Sequence, residues 1–409
     1  GYSAGQATTS GSLNNFIGNY AGVSNTTGER NAALGNQALY YNTTGSQLTA
    51  LGMYALHVNT TGAGNTAVGY SALQANTTAS NNVAVGRNSL YSNTTGENNS
   101  ACGYQALYYN TTGGQNVAVG PDALQSNTTA SYNTAVGRKA LFSNTTGSQN
   151  TAVGRDAVYN NTTGVNNTGI GISSLQSCTT GGRNTAVGHY SGLNMTTASY
   201  NVAIGSEAMN STNIGGRNVA VGFQSLYSNT YGGYNNAIGM YALYSATSGH
   251  HNVAVGYQAS FTNTTGSENT SIGHRSAYST TTGGSNVAVG FDALYNNTTG
   301  DNNVAAGRNA LINNTTGQRN TAVGYIAGRN NTTGTFNNGF GDSAHADLTT
   351  GSYNTTLGAH GSSYAPVFNV TTENNRFVCG HTAITNAYVK VAWTVTSDER
   401  DKMNFAPVP

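Results

Sequence analysis

Glycine recurs every 17 residues along this 409-residue chain, from Gly1 through Gly188 to Gly358, without one break in phase. These 22 glycines bound 21 repeats, and a single inserted or deleted residue would have displaced every later glycine. A fixed period of this kind is typical of arrays in which each repeat stacks on the one before it. The sequence therefore predicts an elongated and regularly stacked structure.

The repeat also indicates which secondary structure each unit forms. Residues 137–153 read GRKALFSNTTGSQNTAV, and most other units keep the Gly, Ala-Leu, Asn-Thr-Thr-Gly and Asn-x-Ala-Val positions. Two helices and their turns would need about 30 residues or more, and Gly and Asn are poor helix formers. The short β-branched segment before each repeat glycine is predicted to be a strand. A second short strand is predicted through the Ala-Leu pair, with Asn-Thr-Thr-Gly as the next corner.

The expected fold is all-β, a parallel β-solenoid or β-roll of 17-residue coils. At about 4.8 Å per coil, the rod would be on the order of 100 Å long. A coil this short encloses little apolar volume, and alternate side chains of Val-Ala-Val point to opposite faces that are both apolar. One face is predicted to fill the coil interior and the other to meet another chain. We therefore expect a homotrimer, either intertwined or side by side.

Disorder is the alternative to this fold, because the chain has low complexity and a mean hydropathy of -0.36. A disordered chain has no reason to keep apolar residues in one column, yet Val68, Val136 and Val289 all stand immediately before a repeat glycine. The regular column favours stacking.

Composition narrows the range of partners. With 15 basic and 14 acidic residues the formal net charge is +1, which predicts neither nucleic-acid binding nor attachment to an anionic membrane. The sequence lacks the long apolar run that membrane insertion requires. Cys102, Cys178 and Cys379 stand in unrelated positions, so no disulfide is expected. The sequence also predicts no metal and no cofactor.

Asparagine occupies two columns of the repeat. The second column, just before the strand, is interrupted only by Leu48, and stacked amides there are predicted to form a structural hydrogen-bonded ladder. In the Asn-Thr-Thr column some repeats carry Cys178, Met195 or Ala246 instead, which predicts a partly covered site. Asn-Thr-Thr also matches an N-glycosylation sequon, which is the alternative for that column. Representative ladder positions are Asn65, Asn82, Asn99, Asn116, Asn133, Asn150, Asn184 and Asn201.

In many repeats an aromatic residue follows the leucine of the Ala-Leu pair, and these residues form an interrupted row along the rod. Stacked rings stabilise neighbouring coils, and this structural role is the first prediction. Rings that carry a hydroxyl also stack on sugars, so these tyrosines are candidate ligand-binding residues. The candidates are Tyr40, Tyr91, Tyr108, Tyr159, Tyr227, Tyr244 and Tyr295.

The charged residues collect one and two positions after the repeat glycine and again just before the second Asn, as with Arg87, Lys139 and Arg319. These positions are predicted to be solvent-facing corners. The repeats contain no metal-binding, phosphate-loop or nucleophile motif. The sequence predicts no enzyme acting on external substrates.

The 17-residue period ends after Gly358. Beyond it, apolar and polar residues alternate in a manner typical of short strands, as in residues 387–395. We predict a shaft over 1–358, a strand-rich connector over 359–396 and the start of a separate module over 397–409. Residues 397–404 read SDERDKMN.

The pattern Ser397-Asp398-x-Arg400-x-Lys402-x-Asn404 resembles the opening of the intramolecular chaperone domain of endosialidase-type phage tail spikes and tail fibres. The resemblance is close over about 20 residues and loose over the rest of the chain. It implies a C-terminal chaperone that drives trimer folding and then cuts itself away at the Ser-Asp junction. By resemblance, Ser397, Asp398 and Lys402 would perform this self-cleavage, with the lysine activating the serine.

The repeats are also similar to the heads of trimeric autotransporter adhesins, whose shorter Val-Ala-Ile-Gly repeats form trimeric β-rolls; this chain has that sequence at 202–205. The expected function is a structural bacteriophage tail-fibre shaft in the virion, which supports or performs host-cell recognition. Its expected partners are further copies of itself, other tail proteins and a glycan or protein receptor on the host surface. The alternatives are an extracellular bacterial adhesin or filament, and a depolymerising tail spike.

Overall fold

The computed structural model describes residues 1–358 and 371–379. Within these ranges all regular secondary structure is β, in 22 strands of three residues each. The strands are β1 Asn15–Ile17, β2 Ala32–Leu34, β3 Thr49–Leu51, β4 Thr66–Val68, β5 Val83–Val85, β6 Ser100–Cys102, β7 Val117–Val119, β8 Thr134–Val136, β9 Thr151–Val153, β10 Thr168–Ile170, β11 Thr185–Val187, β12 Val202–Ile204, β13 Val219–Val221, β14 Asn236–Ile238, β15 Val253–Val255, β16 Thr270–Ile272, β17 Val287–Val289, β18 Val304–Ala306, β19 Thr321–Val323, β20 Asn338–Phe340, β21 Thr355–Leu357 and β22 Phe377–Cys379.

Each strand pairs in parallel with the next strand of the chain, so that one sheet runs the length of the rod. Thr134 lies beside Thr151, and the same offset of one repeat holds from β1 to β21. The chain is therefore a parallel β-solenoid with one coil per repeat, as the glycine period predicts. The last strand breaks the period but not the stack, because β22 pairs with β21 through Thr355 and Phe377. Stacking thus continues past Gly358 into the segment that we predicted to be a connector.

The strand of each coil turns its middle residue inward and its first and third residues outward. In β7 the inward Ala118 is fully buried, whereas Val117 and Val119 are 37% and 40% exposed. The division into an inner and an outer apolar face follows the prediction. The valine column, however, lies outside the coil, because the interior is narrow and the inward residue of every strand from β2 to β20 is Ala, Gly or Ser.

The predicted second strand through the Ala-Leu pair is wrong, because this segment is a turn. Leu141 has a φ of 52°, in the left-handed region, and the Ala140 N–H donates to the Gly137 carbonyl at 3.3 Å. Adjacent side chains in a strand point to opposite faces. Here Ala140 and Leu141 are both fully buried. The left-handed turn directs both apolar side chains into the coil, which a strand cannot do.

The apolar core is a narrow column along the rod axis. Each typical coil contributes the strand alanine and the Ala-Leu pair of the turn, for example Ala135, Ala140 and Leu141, all fully buried. These side chains stack on their equivalents in the coils above and below. Because each coil buries so few apolar atoms, the polar part of the interior must be almost completely hydrogen-bonded for the stack to be stable.

The Asn-Thr-Thr column forms one of two buried amide ladders. Asn127 donates from Nδ2 to Asn110 Oδ1 at 2.8 Å and to the Ala130 carbonyl at 3.0 Å, and its own Oδ1 accepts from Asn144 at 2.9 Å. The prediction of a partly covered site is wrong, because this side chain is completely buried. In the folded rod the sequon nitrogen is thus enclosed and hydrogen-bonded.

The second Asn column ties side chains to the backbone of neighbouring coils. Asn133 Oδ1 accepts from the Asn150 N–H at 2.9 Å, and Asn133 Nδ2 donates to the Gly147 carbonyl at 3.0 Å. The same pattern runs through the eight ladder positions named from the sequence. Each amide therefore satisfies a backbone donor that the corner leaves without a backbone partner.

The Asn-Thr-Thr ladder is interrupted where another residue replaces asparagine, and each interruption leaves a buried acceptor unpaired. The Oδ1 atoms of Asn161, Asn229, Asn263 and Asn331 have no hydrogen-bond partner, and the next coils carry Cys178, Ala246, Thr280 and Leu348 at the ladder position. A buried acceptor without a partner costs about 1–3 kcal/mol.

Restoring the ladder at Ala246 is expected to stabilise the rod. In Ala246→Asn the new Nδ2 would donate to Asn229 Oδ1, and the new Oδ1 would accept from Asn263 Nδ2. We expect the free energy of unfolding to rise by about 1–2 kcal/mol. Denaturant unfolding measures this change, and Ala246→Leu, similar in size but without a donor, is the control. An asparagine variant no more stable than the leucine variant would contradict the ladder's energetic role.

Candidate recognition surface

The outward positions of the coil form rows along the rod, because each position repeats in register. The predicted aromatic row after the turn leucine is half-buried and stacks ring on ring in runs. Its longest run joins Tyr227, Tyr244, Phe261, Tyr278 and Tyr295, with centroid distances of 5.0 to 5.2 Å and interplanar angles of 5° to 10°. Shorter parallel stacks join Tyr91 to Tyr108 and Phe142 to Tyr159.

These stacks use the ring faces that a sugar would need. Tyr244 has a ring on each face, and Tyr108 contacts Tyr91 on one side and Tyr109 edge-on. Tyr40 lies in an irregular cluster with Tyr20, Tyr41 and His57. The geometry supports the structural role of this row over the ligand-binding alternative.

A second row, just before the second Asn of each repeat, has a different composition. Across five consecutive coils it alternates cations and rings, and we call it the Arg/Tyr row: Arg183, Tyr200, Arg217, Tyr234 and His251. These side chains are exposed, with Tyr200 and Tyr234 both 48% accessible. The sequence predicts only solvent-facing corners for this column. Aligning the repeats and comparing the residues at this one position would have revealed the alternation.

The Arg/Tyr row is held rigid by its own contacts. The Arg217 guanidinium lies between two rings, with its Cζ atom 5.4 Å from the Tyr200 centroid and 5.3 Å from the Tyr234 centroid. Arg183 stacks on the other face of Tyr200 at 5.2 Å, and Tyr234 stacks on His251 at 4.9 Å. Arg183 and Arg217 each donate from Nη1 to the hydroxyl of the next tyrosine. Stacking therefore fixes the arginine planes while leaving other N–H groups at the surface.

The row is electropositive and lacks acidic partners. Neither Arg183 nor Arg217 forms an ion pair with any residue in the described ranges. Between residues 184 and 285 the carboxylates belong to Glu207, which accepts from Gln224 at 2.7 Å on a different corner, and to Glu268, which follows His251 in the same column and accepts from Ser285 at 3.0 Å. Arg275 differs, because it binds Asp292 through two hydrogen bonds of 2.9 and 2.7 Å, and this contact raises its pKa. The two arginines of the row remain available to an anion.

The residues predicted for self-cleavage, Ser397, Asp398 and Lys402, lie outside the described residues. Within the described ranges no group of three His, Cys, Asp or Glu side chains is placed to hold a metal. All three cysteines are free, and burial raises the pKa of the Cys178 thiol to about 12. A search of residues 1–358 and 371–379 found no helix long and apolar enough to cross a membrane.

The fold and surface together define a class, the parallel β-solenoid rods with one coil per sequence repeat. No protein-family model matches the chain, and no curated protein matches it in sequence.

Proposed function

We propose that this chain is the shaft of a homotrimeric bacteriophage tail fibre, which projects from the virion and supports or performs recognition of the host cell. Support comes from the rod of stacked coils, from the apolar outer face of its sheet and from the C-terminal resemblance to a trimer-folding chaperone. Of these observations the outer strand face gives the strongest support, because its apolar side chains would be buried by further copies of the chain.

The outer strand face consists of the first and third residue of every strand. In the third position Val119, Ile204 and Ile238 are 40%, 39% and 43% exposed, and Val, Ile or Leu recurs there in most coils. Because the coils stack in register, these side chains form one apolar strip along the whole sheet. Strips of this size on a soluble protein mark interaction sites. Three copies placed side by side about one axis would bury all three strips, which is the arrangement we propose.

A trimer-forming face makes a specific prediction for assembly. We expect purified chain to sediment at three times the chain mass, and Val119→Lys with Val153→Lys to yield monomers or aggregates, because two buried lysines would face the partner strips. Thr112→Lys with Thr146→Lys, on an exposed corner of the same region, is the matched control and should remain trimeric. Monomeric wild-type chain, or a trimer that tolerates lysine on the strip, would refute this assembly.

The fibre assignment has its own test, distinct from that of assembly. Antibodies raised against the rod should label tail appendages of virions in electron micrographs, whereas labelling confined to bacterial surfaces would indicate the extracellular adhesin instead.

Mass spectrometry of the intact particle should give a chain that ends near Ser397 if self-cleavage occurs. A chain that retains a chaperone beyond Pro409 would refute the cleavage.

A further inference from the structure

At the corner beside the Arg/Tyr row, a side chain of the next coil covers the backbone amide in some coils and leaves it uncovered in others, such as those of Ser148 and Val165. One position before this row, serine in several coils caps the amide of the coil below, as Ser131 Oγ does for Gly114 at 3.0 Å and Ser148 Oγ does for Ser131 at 3.2 Å. Two consecutive coils carry glycine at this position, Gly216 and Gly233. The amides of Ser199 and Gly216 therefore have no hydrogen-bond partner among the described residues.

These two amides precede Tyr200 and Arg217 of the Arg/Tyr row, so free backbone donors and unpaired guanidinium donors share one corner. Consecutive coils place the amides about 4.8 Å apart along the rod, and Arg183 and Arg217 about 10 Å apart. Backbone amides beside arginine form the type of concave donor group that binds oxyanions. A phosphate group has three strong acceptor oxygens and can accept from both kinds of donor at once.

An aromatic platform lies in the same coil as Tyr234. Tyr231 is 60% exposed, and it replaces the second threonine of the Asn-Thr-Thr motif. Its ring stacks on no other ring among the described residues, unlike the tyrosines of the half-buried row. Ile214, at the same position one coil earlier, is 50% exposed. A free aromatic face beside apolar surface is suited to the C–H face of a sugar.

We propose that this corner, formed by Ser199, Gly216, Arg183, Arg217 and Tyr231, binds phosphate-bearing glycan chains. The phosphate lies against the free amides and the arginine forks, and the neighbouring sugar stacks on Tyr231. This inference rests on the proposed function, for which it names the class of receptor. A nucleic acid is disfavoured because the patch has only two arginines and the chain a formal net charge of +1.

The test measures binding of the full chain to phosphomannan, with polygalacturonate as a carboxylate polymer, dextran as a neutral one and a DNA duplex as a different polyanion. We expect phosphomannan to bind at least about tenfold more tightly than the other three, because the site combines phosphate donors with a sugar platform. Equal binding of DNA or polygalacturonate would overturn the proposal in favour of a nonspecific cationic surface.

Three variants separate the parts of the site. Arg183→Gln with Arg217→Gln should weaken phosphomannan binding by about tenfold or more. Gly216→Ser with Gly233→Ser keeps every charge but supplies the hydroxyls that cap these amides in other coils, and should weaken it about threefold or more. Tyr231→Ala should weaken phosphomannan binding but leave binding of inorganic phosphate within about twofold.

The matched control is Arg87→Gln with Arg308→Gln, which removes the same charge from arginines that stack on rings in another row. It should change phosphomannan binding by less than about twofold. An equal loss in this control, or no loss in any one of the three site variants, would overturn the site as proposed. Rods that label tail appendages yet fail these binding tests would refute the glycan site and leave the fibre assignment standing. Binding of phosphomannan by rods that do not label tail appendages would refute the fibre assignment and leave the glycan site standing.

Discussion

Replacing Gly188 with alanine is expected to break the rod in its middle. Gly188 has a φ of 132°, and a Cβ atom built there would lie 2.6 Å from the Gly205 carbonyl oxygen and 2.7 Å from its carbonyl carbon. These atoms belong to the backbone of the next coil, which cannot rotate aside. Relief would require the two coils to separate, and separation would break the parallel pairing of β11 and β12.

We expect Gly188→Ala to lower the free energy of unfolding by about 3–5 kcal/mol, from backbone strain together with lost contacts between coils. Because each coil contacts only its neighbours, the damage should also be local. Thermal unfolding measures the loss, and limited proteolysis should give two large fragments that meet near residue 188.

The control for this prediction is Gly284→Ala. Gly284 stands at the corner position where other coils carry Ala63, Ser80 or Ser131, it lacks a positive φ, and a Cβ atom built there would lie no closer than 3.1 Å to any atom outside its chain neighbours. A cost below about 1 kcal/mol is expected, since the stack already accommodates Cβ atoms in this column. If both alanine variants lost the same stability, close contact between coils would not explain why glycine recurs every 17 residues.

Removing one amide from the second Asn ladder is expected to have the other large effect. Asn133→Ala would leave the Asn150 N–H buried without its only acceptor, Asn133 Oδ1 at 2.9 Å. That N–H belongs to the backbone and cannot turn to find another partner. We expect a loss of about 3 kcal/mol in the free energy of unfolding.

The matched variant is Asn127→Ala in the Asn-Thr-Thr ladder. It would leave Asn110 Oδ1 unpaired, as four Oδ1 atoms of this ladder already are, while Asn144 Nδ2 would keep its bond to the Gly147 carbonyl and the Ala130 carbonyl its bond from Asn116 at 2.9 Å. A loss of about 1 kcal/mol is expected. Denaturant unfolding of both variants measures the difference, and equal losses would contradict it. The expected order agrees with the sequence, in which several residue types interrupt the Asn-Thr-Thr column but only Leu48 interrupts the second column.

Much of the rod is predictable because it depends on repetition. The glycine period fixes one coil per repeat, and the β-branched residues before each glycine locate the strand. The parallel pairing then follows, since equivalent residues of successive coils must lie side by side. The turn through Ala140 and Leu141 was missed because leucine in the left-handed region is unfavourable locally. It occurs because the coil gains two buried apolar side chains.

The recognition surface is harder to predict for the same physical reason. Arg183, Tyr200 and Arg217 are separated by whole repeats, so no local window of sequence contains their contact. The free amides of Ser199 and Gly216 result from side chains that the next coil lacks. The half-buried tyrosines were prominent in the sequence, yet the stack uses their faces internally.

The period, the strand, the parallel stack and the two asparagine columns follow from the repeat pattern alone, because in-register repetition admits few other packings. The fold was needed to show which strand face points outward, that the Ala-Leu pair is a turn, and that stacking passes Gly358 to reach β22. It also decided which corner has unpaired donors. These outcomes depend on how one coil fits against the next, since the turn leucines and the amide ladders fill most of a narrow interior and leave room only for a small side chain on the strand.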